Sequence, residues 1–291
     1  MNRVVDYIQK HLADPLDLVE LAGVACFSPF HFHRLFRGWM GEPLQAFVNR
    51  LRLERAAQLL VFDQFRSISE IGAECGFSSS GTFARAFKQG FGMPAGEWRK
   101  RKICETNRKS CEAGEDALPA FSKAVNPMIK TSLQVRVRRL APETIAYIRH
   151  IGPYKGDTEL FKRLFGRLFA WAGARGLMGA QPRYLSLFQD NPNLTPASRQ
   201  RLEVALIVPP GTAPSGEVGI RRLEGGLYAT ARVHVLLEDY AGQWDALVGD
   251  WLPGSGYQPD NLPAMEFYLN NPEEDPEGRY DVEICLPVRP L

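Results

Sequence analysis

The chain has 291 residues, of which 45% are hydrophobic, and its formal net charge at pH 7 is +2. This length favours about two domains, and no apolar run reaches the roughly 18 residues of a membrane span. Residues 1–110 hold 16 Lys and Arg against 11 Asp and Glu, whereas residues 111–291 hold 19 against 22. A basic half joined to an acidic half favours a DNA-binding module attached to a module with another task.

The cysteines show neither paired spacing nor the Cys/His pattern of a zinc site. They are Cys26, Cys75, Cys104, Cys111 and Cys285. The sequence therefore predicts reduced thiols in the cytoplasm, with no bound metal and no membrane partner. It contains no Gly-x-Ser-x-Gly, phosphate loop or dinucleotide fingerprint, so neither a catalytic residue nor a cofactor is predicted.

The stretch 69–99 predicts a helix-turn-helix. A short helix over 69–75 ends before Gly76, and the serines that follow can cap a second helix over about 81–90. One side of that helix is apolar, through Phe83, Ala84, Phe87 and Phe91. Its opposite side presents Ser80, Thr82 and Arg85 near the helix start, where a recognition helix meets base edges.

The same device occurs earlier in the chain. A helix over 16–26 is followed by Ser28 and Pro29, a capping residue and a residue favoured at the first helical position. The predicted buried stripe of the next helix is Phe32, Leu35, Phe36 and Trp39. Its predicted outward residues are Phe30, His33 and Arg34. A helix over 44–62 is long enough to join the two units rigidly.

These two units resemble the DNA-binding domains of the AraC/XylS family. The motif Gly-Phe-Ser...Phe-x-Arg-x-Phe-Lys...Gly-x-x-Pro runs from Gly76 to Pro94, and a weaker copy begins at Cys26. The resemblance implies a transcription regulator that binds double-stranded DNA, with RNA polymerase as a further candidate partner. The expected contacts are Phe30, His33, Arg34, Ser80, Gly81, Thr82 and Arg85. Gly81 departs from the longer polar residue often found at its position.

The second half contains an internal repeat. Residues 135–140 and 218–223 match at an offset of 83, residues 184–192 match 265–272 at an offset of 80, and residues 204–209 match 282–287 at an offset of 78. Each copy, about 130–209 and 216–289, reads strand, strand, helix, strand, strand. The predicted fold is an all-α tandem helix-turn-helix (1–105), a linker (106–124) and an α+β domain with pseudo-two-fold symmetry (125–291).

This half resembles the GyrI-like, Rob-type domains, through His150-Ile-Gly-Pro-Tyr154 and the last strand from Asp281 to Pro287. The resemblance implies a groove that binds organic, often cationic and lipophilic, effectors. Two alternatives come with it: hydrolysis of reactive small molecules, and a protein-binding role as in gyrase-inhibiting relatives.

The candidate counter-charge for a cation is Glu283. At the 78-residue offset it aligns with Ala205, so a carboxylate would occur on one side of the pseudo-dyad alone. Its expected neighbours are Tyr154, Phe188, Trp244 and Tyr268, whose aromatic faces suit an organic cation. The competing interpretation is a solvated strand carboxylate. Phe165, Phe169 and Trp171 are assigned to the hydrophobic core.

Overall fold

The computed structural model describes residues 1–63, 65–102 and 133–291. The predicted linker over 106–124 lies outside these described residues. On either side of it the fold is as predicted, with a helical N-terminal half and an α+β C-terminal half. Within the described ranges, no helix combines the length and hydrophobicity needed to cross a bilayer.

Side-chain caps mark the starts of four of the N-terminal helices. Asp17, Ser28, Ser67 and Ser79 each accept a hydrogen bond from a backbone N–H three residues later, and Ser67 forms a capping box with Glu70. The helices are α1 (Asn2–Lys10), α2 (Leu18–Ala25), α3 (Pro29–Met40), α4 (Leu44–Phe62), α5 (Ile68–Glu74), α6 (Ser80–Phe91) and α7 (95–102). Together they form two helix-turn-helix units joined by α4.

Each unit has its own hydrophobic core, and α4 contributes to both. In α3 the buried residues are Phe32, Phe36 and Met40, a strict four-residue spacing. The prediction that Leu35 and Trp39 are buried was therefore wrong, because both side chains lie one position off this row and are exposed.

The C-terminal half is built on one antiparallel sheet. Its strands are β1 (Arg136–Leu140), β2 (Glu143–Ile151), β3 (Tyr184–Phe188), β4 (Arg201–Ile207), β5 (Gly219–Leu223), β6 (Gly226–Val235), β7 (Tyr257–Pro259), β8 (Ala264–Tyr268) and β9 (Tyr280–Pro290). Eight strands run in the order β1-β6-β9-β8-β3-β4-β2-β5, and β7 pairs with β9. This order is symmetric about the β8–β3 pair, and the first strand of each repeat joins the other repeat.

The strand register defines which residues are equivalent in the two repeats. At the centre, Ser186 pairs directly with Glu266. Farther out, Glu203 pairs with Arg149 and Glu283 pairs with Arg232. The last strands therefore correspond at an offset of 80 residues, not 78. The structural equivalent of Glu283 is Glu203. The expectation that Ala205 occupies the equivalent position in the first repeat was therefore wrong.

Helices cover one face of this sheet, which we call the helix face. α8 (Thr158–Gly173) buries its leucines there against the first repeat. In the second repeat α9 (Tyr240–Asp245) continues into a π-helical turn, Ala246–Trp251. The alternate residues Val282, Ile284 and Leu286 pack in the core beneath it. The opposite surface, the back face, contacts α1.

Gly72 offers a test of the packing that positions α6. A Cβ at this buried position in α5 would lie 2.8 Å from the ring of Phe83 in α6. We expect Gly72→Ala to lower the free energy of unfolding by about 1–3 kcal/mol through overpacking. The matched control is Gly38→Ala in α3, where a Cβ meets nothing within 4 Å and better helix propensity should raise stability by up to about 1 kcal/mol. Urea denaturation measures both, and equal effects would contradict this packing.

Candidate functional site

The start of α3 presents the three residues expected to contact DNA. Phe30, His33 and Arg34 are all exposed. The Arg34 guanidinium lies 5.9 Å from the centre of the Phe30 ring, so the aromatic face supports this cation. Ser28 caps the helix and fixes the direction in which these side chains project. This is a first candidate DNA-binding surface.

The start of α6 forms the second candidate DNA-binding surface, with Ser80, Gly81, Thr82 and Arg85 exposed. The Thr82 hydroxyl lies 2.9 Å from the hydroxyl of the capping residue Ser79, so it already has a partner in the cap. Gly81 has open space around it. Arg85 is therefore the member of this set with the greatest reach toward a base or phosphate, and contact with DNA stays a prediction.

A cleft of about 1980 Å³ runs from the helix face of the sheet to α1 and α4, and its lining includes Asp6 of α1 and the back-face residue Arg221. Its lining includes all four aromatic residues predicted as ligand walls: Tyr154, Phe188, Trp244 and Tyr268. The Phe188 ring lies 5.7 Å from Tyr154 and 6.3 Å from Trp244 between centroids. Tyr184, Phe165 and Tyr240 line the same cleft.

A carboxylate lies among these aromatic side chains, and it is Glu266. Its side chain accepts hydrogen bonds from Trp244 Nε1 at 2.6 Å and from the Tyr268 hydroxyl at 3.2 Å. Glu266 is only 4% exposed. Within the described residues it forms no ion pair, and its donors are neutral. Burial therefore raises the pKa of Glu266, and these hydrogen bonds only partly offset that effect.

The tyrosines of the cleft are held in their phenol form. Burial raises the pKa of Tyr154 to about 12. The pKa of Tyr268 is raised by burial and by the nearby Glu266, although Tyr268 also has Ser186 as a hydroxyl partner at 2.9 Å. The phenols can therefore donate hydrogen bonds, and Tyr268 donates one to the Glu266 carboxylate group.

Glu283 does not share this cleft, so the prediction that it lies among the aromatic walls was wrong. Side chains alternate along a strand, and its neighbours Val282 and Ile284 pack in the core beneath α9. Glu283 projects from the back face and pairs with Arg138. The structure thus separates Glu283 from Tyr154, Phe188, Trp244 and Tyr268 by the thickness of the sheet.

The sequence contained a signal for Glu266. At the 80-residue offset of the repeated segments, Ser186 aligns with Glu266, so the charge that breaks the symmetry was visible there. Phe165, assigned to the core, is partly buried against it and also borders the cleft, where it meets Tyr268 edge to face at 5.5 Å. Phe169 also lines the cleft, whereas Trp171 lies outside it and packs beside Arg175.

These observations define a class of protein: a tandem helix-turn-helix module joined to a duplicated sheet domain with an aromatic, acidic cleft. Residues 133–289 match the model of the GyrI-like small molecule binding domain, and residues 21–101 match that of a helix-turn-helix domain. The chain belongs to the GyrI-like family and carries an AraC-type helix-turn-helix. It is a DNA-binding transcription regulator with a small-molecule-binding domain.

Known proteins resemble each half. A DNA gyrase inhibitor from Edwardsiella ictaluri (strain 93-146) is 38% identical over 161 residues, which span 54% of this chain and 99% of that protein. The DNA gyrase inhibitor of Escherichia coli (strain K12) is 28% identical over 161 residues, covering 54% of this chain and 98% of that protein. A transcriptional regulator structure from Chromobacterium violaceum shares 30% identity at a TM-score of 0.33, covering 35% of this chain and 89% of that chain.

The buried charge predicts a pH-dependent stability difference. The pKa of Glu266 is raised in the folded protein, so folding favours the protonated side chain. The stability that this protonated form contributes is complete at low pH and is lost as pH rises through the raised pKa. We expect Glu266→Gln to melt at a higher temperature than the parent chain at pH 8, and the two melting temperatures to converge near pH 4. Thermal unfolding followed by circular dichroism across this range measures the difference. A variant that melts lower at pH 8 would contradict it.

Proposed function

We propose that this regulator responds to an organic cation with an aromatic or lipophilic body, bound in the cleft beside Glu266. The observation that carries the proposal is a buried carboxylate with neutral hydrogen-bond donors and no ion pair in the described part of the chain. Isolated buried charges are costly, and a bound cation would offset that cost. As a regulator of operator DNA, the protein would act in the cytoplasm.

The walls of the cleft fit the body of such a cation. Tyr154, Phe188, Trp244 and Tyr268 offer aromatic surfaces that attract a cation and also bury an apolar body. Aromatic walls around one carboxylate require few specific hydrogen bonds from the ligand. The cleft would therefore select ligands by their positive charge and aromatic surface more than by the arrangement of their hydrogen-bond donors. A family of related cations would therefore bind.

The proposed DNA contacts are the seven exposed residues at the starts of α3 and α6. Two recognition helices on one chain would enter successive major-groove segments, so a monomer could bind an asymmetric operator. Bidentate contact with guanine is the commonest specific role of arginine, and phosphate contact is the alternative for Arg34 and Arg85. RNA polymerase is the proposed partner at the promoter.

We propose that the effector leaves the cleft chemically unchanged. Hydrolysis of a reactive ligand is the competing outcome, since a carboxylate with a raised pKa beside tyrosines could position water. Product analysis by mass spectrometry after incubation with a candidate ligand separates the two: recovery of intact ligand supports binding, and product formation that depends on Glu266 supports hydrolysis.

The name of the gyrase-inhibitor relatives suggests a second candidate function, interaction of the C-terminal half with DNA gyrase. Those relatives match this half over nearly their whole length. A supercoiling assay with purified gyrase tests the idea directly. Inhibition at micromolar concentrations of this protein, unaffected by loss of its DNA-binding residues, would support the gyrase role.

Glu266 and Glu283 provide a matched pair for testing the ligand site. We expect Glu266→Gln to weaken binding of tetraphenylphosphonium at least about tenfold, or about 1.4 kcal/mol, because the counter-charge is lost. Binding of triphenylphosphine oxide, a neutral molecule with similar rings, should change less than about threefold. Glu283→Gln, on the back face, should leave both affinities close to those of the parent chain.

Isothermal titration calorimetry on the full chain at pH 7.5 measures these affinities. Equal losses for the charged and the neutral molecule would assign Glu266 to packing and not to charge recognition. A loss of cation binding in Glu283→Gln alone would return the site to the back face.

Arg34 and Arg85 test the DNA-binding surfaces. If each contacts a base, Arg34→Ala and Arg85→Ala should each cost about 1–3 kcal/mol in operator binding and relax the preference at one base position. The control is Arg183→Ala, an exposed arginine of the C-terminal half paired with Glu143, which should leave operator binding unchanged. Selection of DNA sequences followed by fluorescence anisotropy measures the effects. A uniform loss on all sequences would indicate phosphate contact, and no loss from either variant would exclude both residues.

A further inference from the structure

The back face carries two equivalent clusters of one glutamate and two arginines. In the first cluster, on β2, β4 and β5, Glu203 pairs with Arg149 and with Arg221 at 2.8 and 2.6 Å; Arg221 comes from the second repeat because β5 joins the strands of the first. In the second cluster, on β1, β6 and β9, Glu283 pairs with Arg138, which comes from the first repeat, and lies opposite Arg232 in the strand register. The clusters correspond residue by residue, since the arginines are related by the 83-residue offset and the glutamates by the 80-residue offset.

The two clusters differ in their surroundings. Arg138 and Arg232 are 48% and 69% exposed, whereas Arg149 is 1% exposed and Glu203 fully buried. What buries the first cluster is helix α1 of the DNA-binding half. Asp6 on α1 pairs with Arg149 at 2.5 Å and accepts a hydrogen bond from the Tyr147 hydroxyl at 2.6 Å.

The sequence explains why the first cluster needs a partner and the second does not. In the second repeat Asp281 supplies another carboxylate, which pairs with Arg232 at 2.8 Å. The equivalent position of the first repeat, 80 residues earlier, holds Arg201. The guanidinium groups of Arg149 and Arg221 therefore share one carboxylate of the sheet, that of Glu203, and Asp6 provides the second one. Removing one partner of a buried ion pair leaves an uncompensated charge, so the first repeat is built to receive α1.

Arg201 makes a second contact with the DNA-binding half. Its side chain is buried against Asp190, with Nε 2.9 Å from a carboxylate oxygen, and its guanidinium lies 5.5 Å from the Phe47 ring of α4. The equivalent of Asp190 in the second repeat is Asn270, which lacks the charge. Both substitutions that distinguish this part of the first repeat therefore serve the contact with the N-terminal helices.

These contacts border the same cleft, and one short segment connects them to its aromatic part. Phe188 is a wall of the cleft, and the next residue, Gln189, donates to Glu203 at 3.0 Å and accepts from Gln9 of α1 at 2.9 Å. The residue after that is Asp190, the partner of Arg201. A displacement of Phe188 by a ligand would therefore act directly on two contacts with the DNA-binding half.

We infer that the seat of α1 on the first repeat, formed by Asp6, Arg149, Arg221, Glu203 and Gln189, couples occupancy of the cleft to the affinity of the recognition helices for DNA. This inference rests on the proposed function of the cleft. A ligand shifts such an equilibrium only if it favours one arrangement, and Phe188–Asp190 is the segment through which it would do so. In support, Arg221 and Arg149 hold the pKa of Glu203 below its ordinary value even though burial opposes ionisation.

The chain offers a matched set of variants. Asp6→Asn removes the carboxylate that α1 provides, and Asp281→Asn removes the equivalent carboxylate of the second repeat, which touches no part of the DNA-binding half in the described residues. Gln9→Ala is a milder change at the same seat and guards against loss of folding in Asp6→Asn. All are tested in the full chain, with circular dichroism as the check on folding.

Two measurements are needed. Hydrogen–deuterium exchange of the α1 amides, without any ligand, reports the seat itself. We expect about tenfold faster exchange in Asp6→Asn, a smaller rise in Gln9→Ala and none in Asp281→Asn. Operator affinity with and without saturating tetraphenylphosphonium reports the coupling. We expect the cation-induced change in operator Kd to fall to less than half its parent value in Asp6→Asn, while the Kd for the cation stays within about twofold.

The outcomes separate this inference from the proposed function. Parent-like exchange and parent-like coupling in Asp6→Asn, or equal effects in Asp281→Asn, would overturn the coupling role of the seat. A parent chain that binds the cation without any change in operator Kd would also overturn it, while leaving the ligand site intact. A parent chain that does not bind the cation would overturn the proposed ligand class, and the exchange measurement would still decide whether Asp6 holds α1.

Discussion

The backbone pairing between β3 and β8 is the constraint on which the C-terminal half depends. It joins the two repeats into one continuous sheet, and the pseudo-dyad passes between Ser186 and Glu266. The two residues occupy equivalent positions of the repeats and are neighbours across the pseudo-dyad. Because one is a glutamate and the other a serine, a single carboxylate lies at the centre of an otherwise symmetric sheet. The hydroxyl of Tyr268 contacts both side chains and ties this asymmetry to the aromatic wall.

Duplication also gave the sheet two equivalent surfaces that have acquired different tasks. On the back face Asp281 supplies an additional carboxylate to Arg232 of the second cluster, whereas the first cluster relies on Asp6 from α1. On the helix face the first repeat has the regular helix α8, and the second has the short α9 followed by a π-helical turn. Irregular helical turns of this kind are frequent near functional sites, and here the turn borders the cleft. The repeats thus differ on both faces of the sheet: in their carboxylates on the back face and in their helices on the helix face.

Much of this architecture was predictable from the sequence. The helix-turn-helix units follow from capping serines and the spacing of phenylalanines, which depend on residues a few positions apart. The repeat and its four aromatic cleft residues followed from similarity between two segments of one chain. Strand register was harder, because a shift of two residues keeps every side chain on its own face and leaves the hydrophobic pattern unchanged. That shift aligned Glu283 with Ala205 instead of Glu203.

The choice between two glutamates illustrates a physical limit of local patterns. Both Glu266 and Glu283 alternate with apolar residues, so each strand alone allows either face to be the solvent side. The side that receives the helices is decided by packing of distant segments: α9 covers Val282 and Ile284, and this places Glu283 on the back face. Glu266 lies on the helix face, where Trp244 of α9 meets it. Its charge is thereby buried among rings, and a position that costs stability becomes one that can recognise a cation.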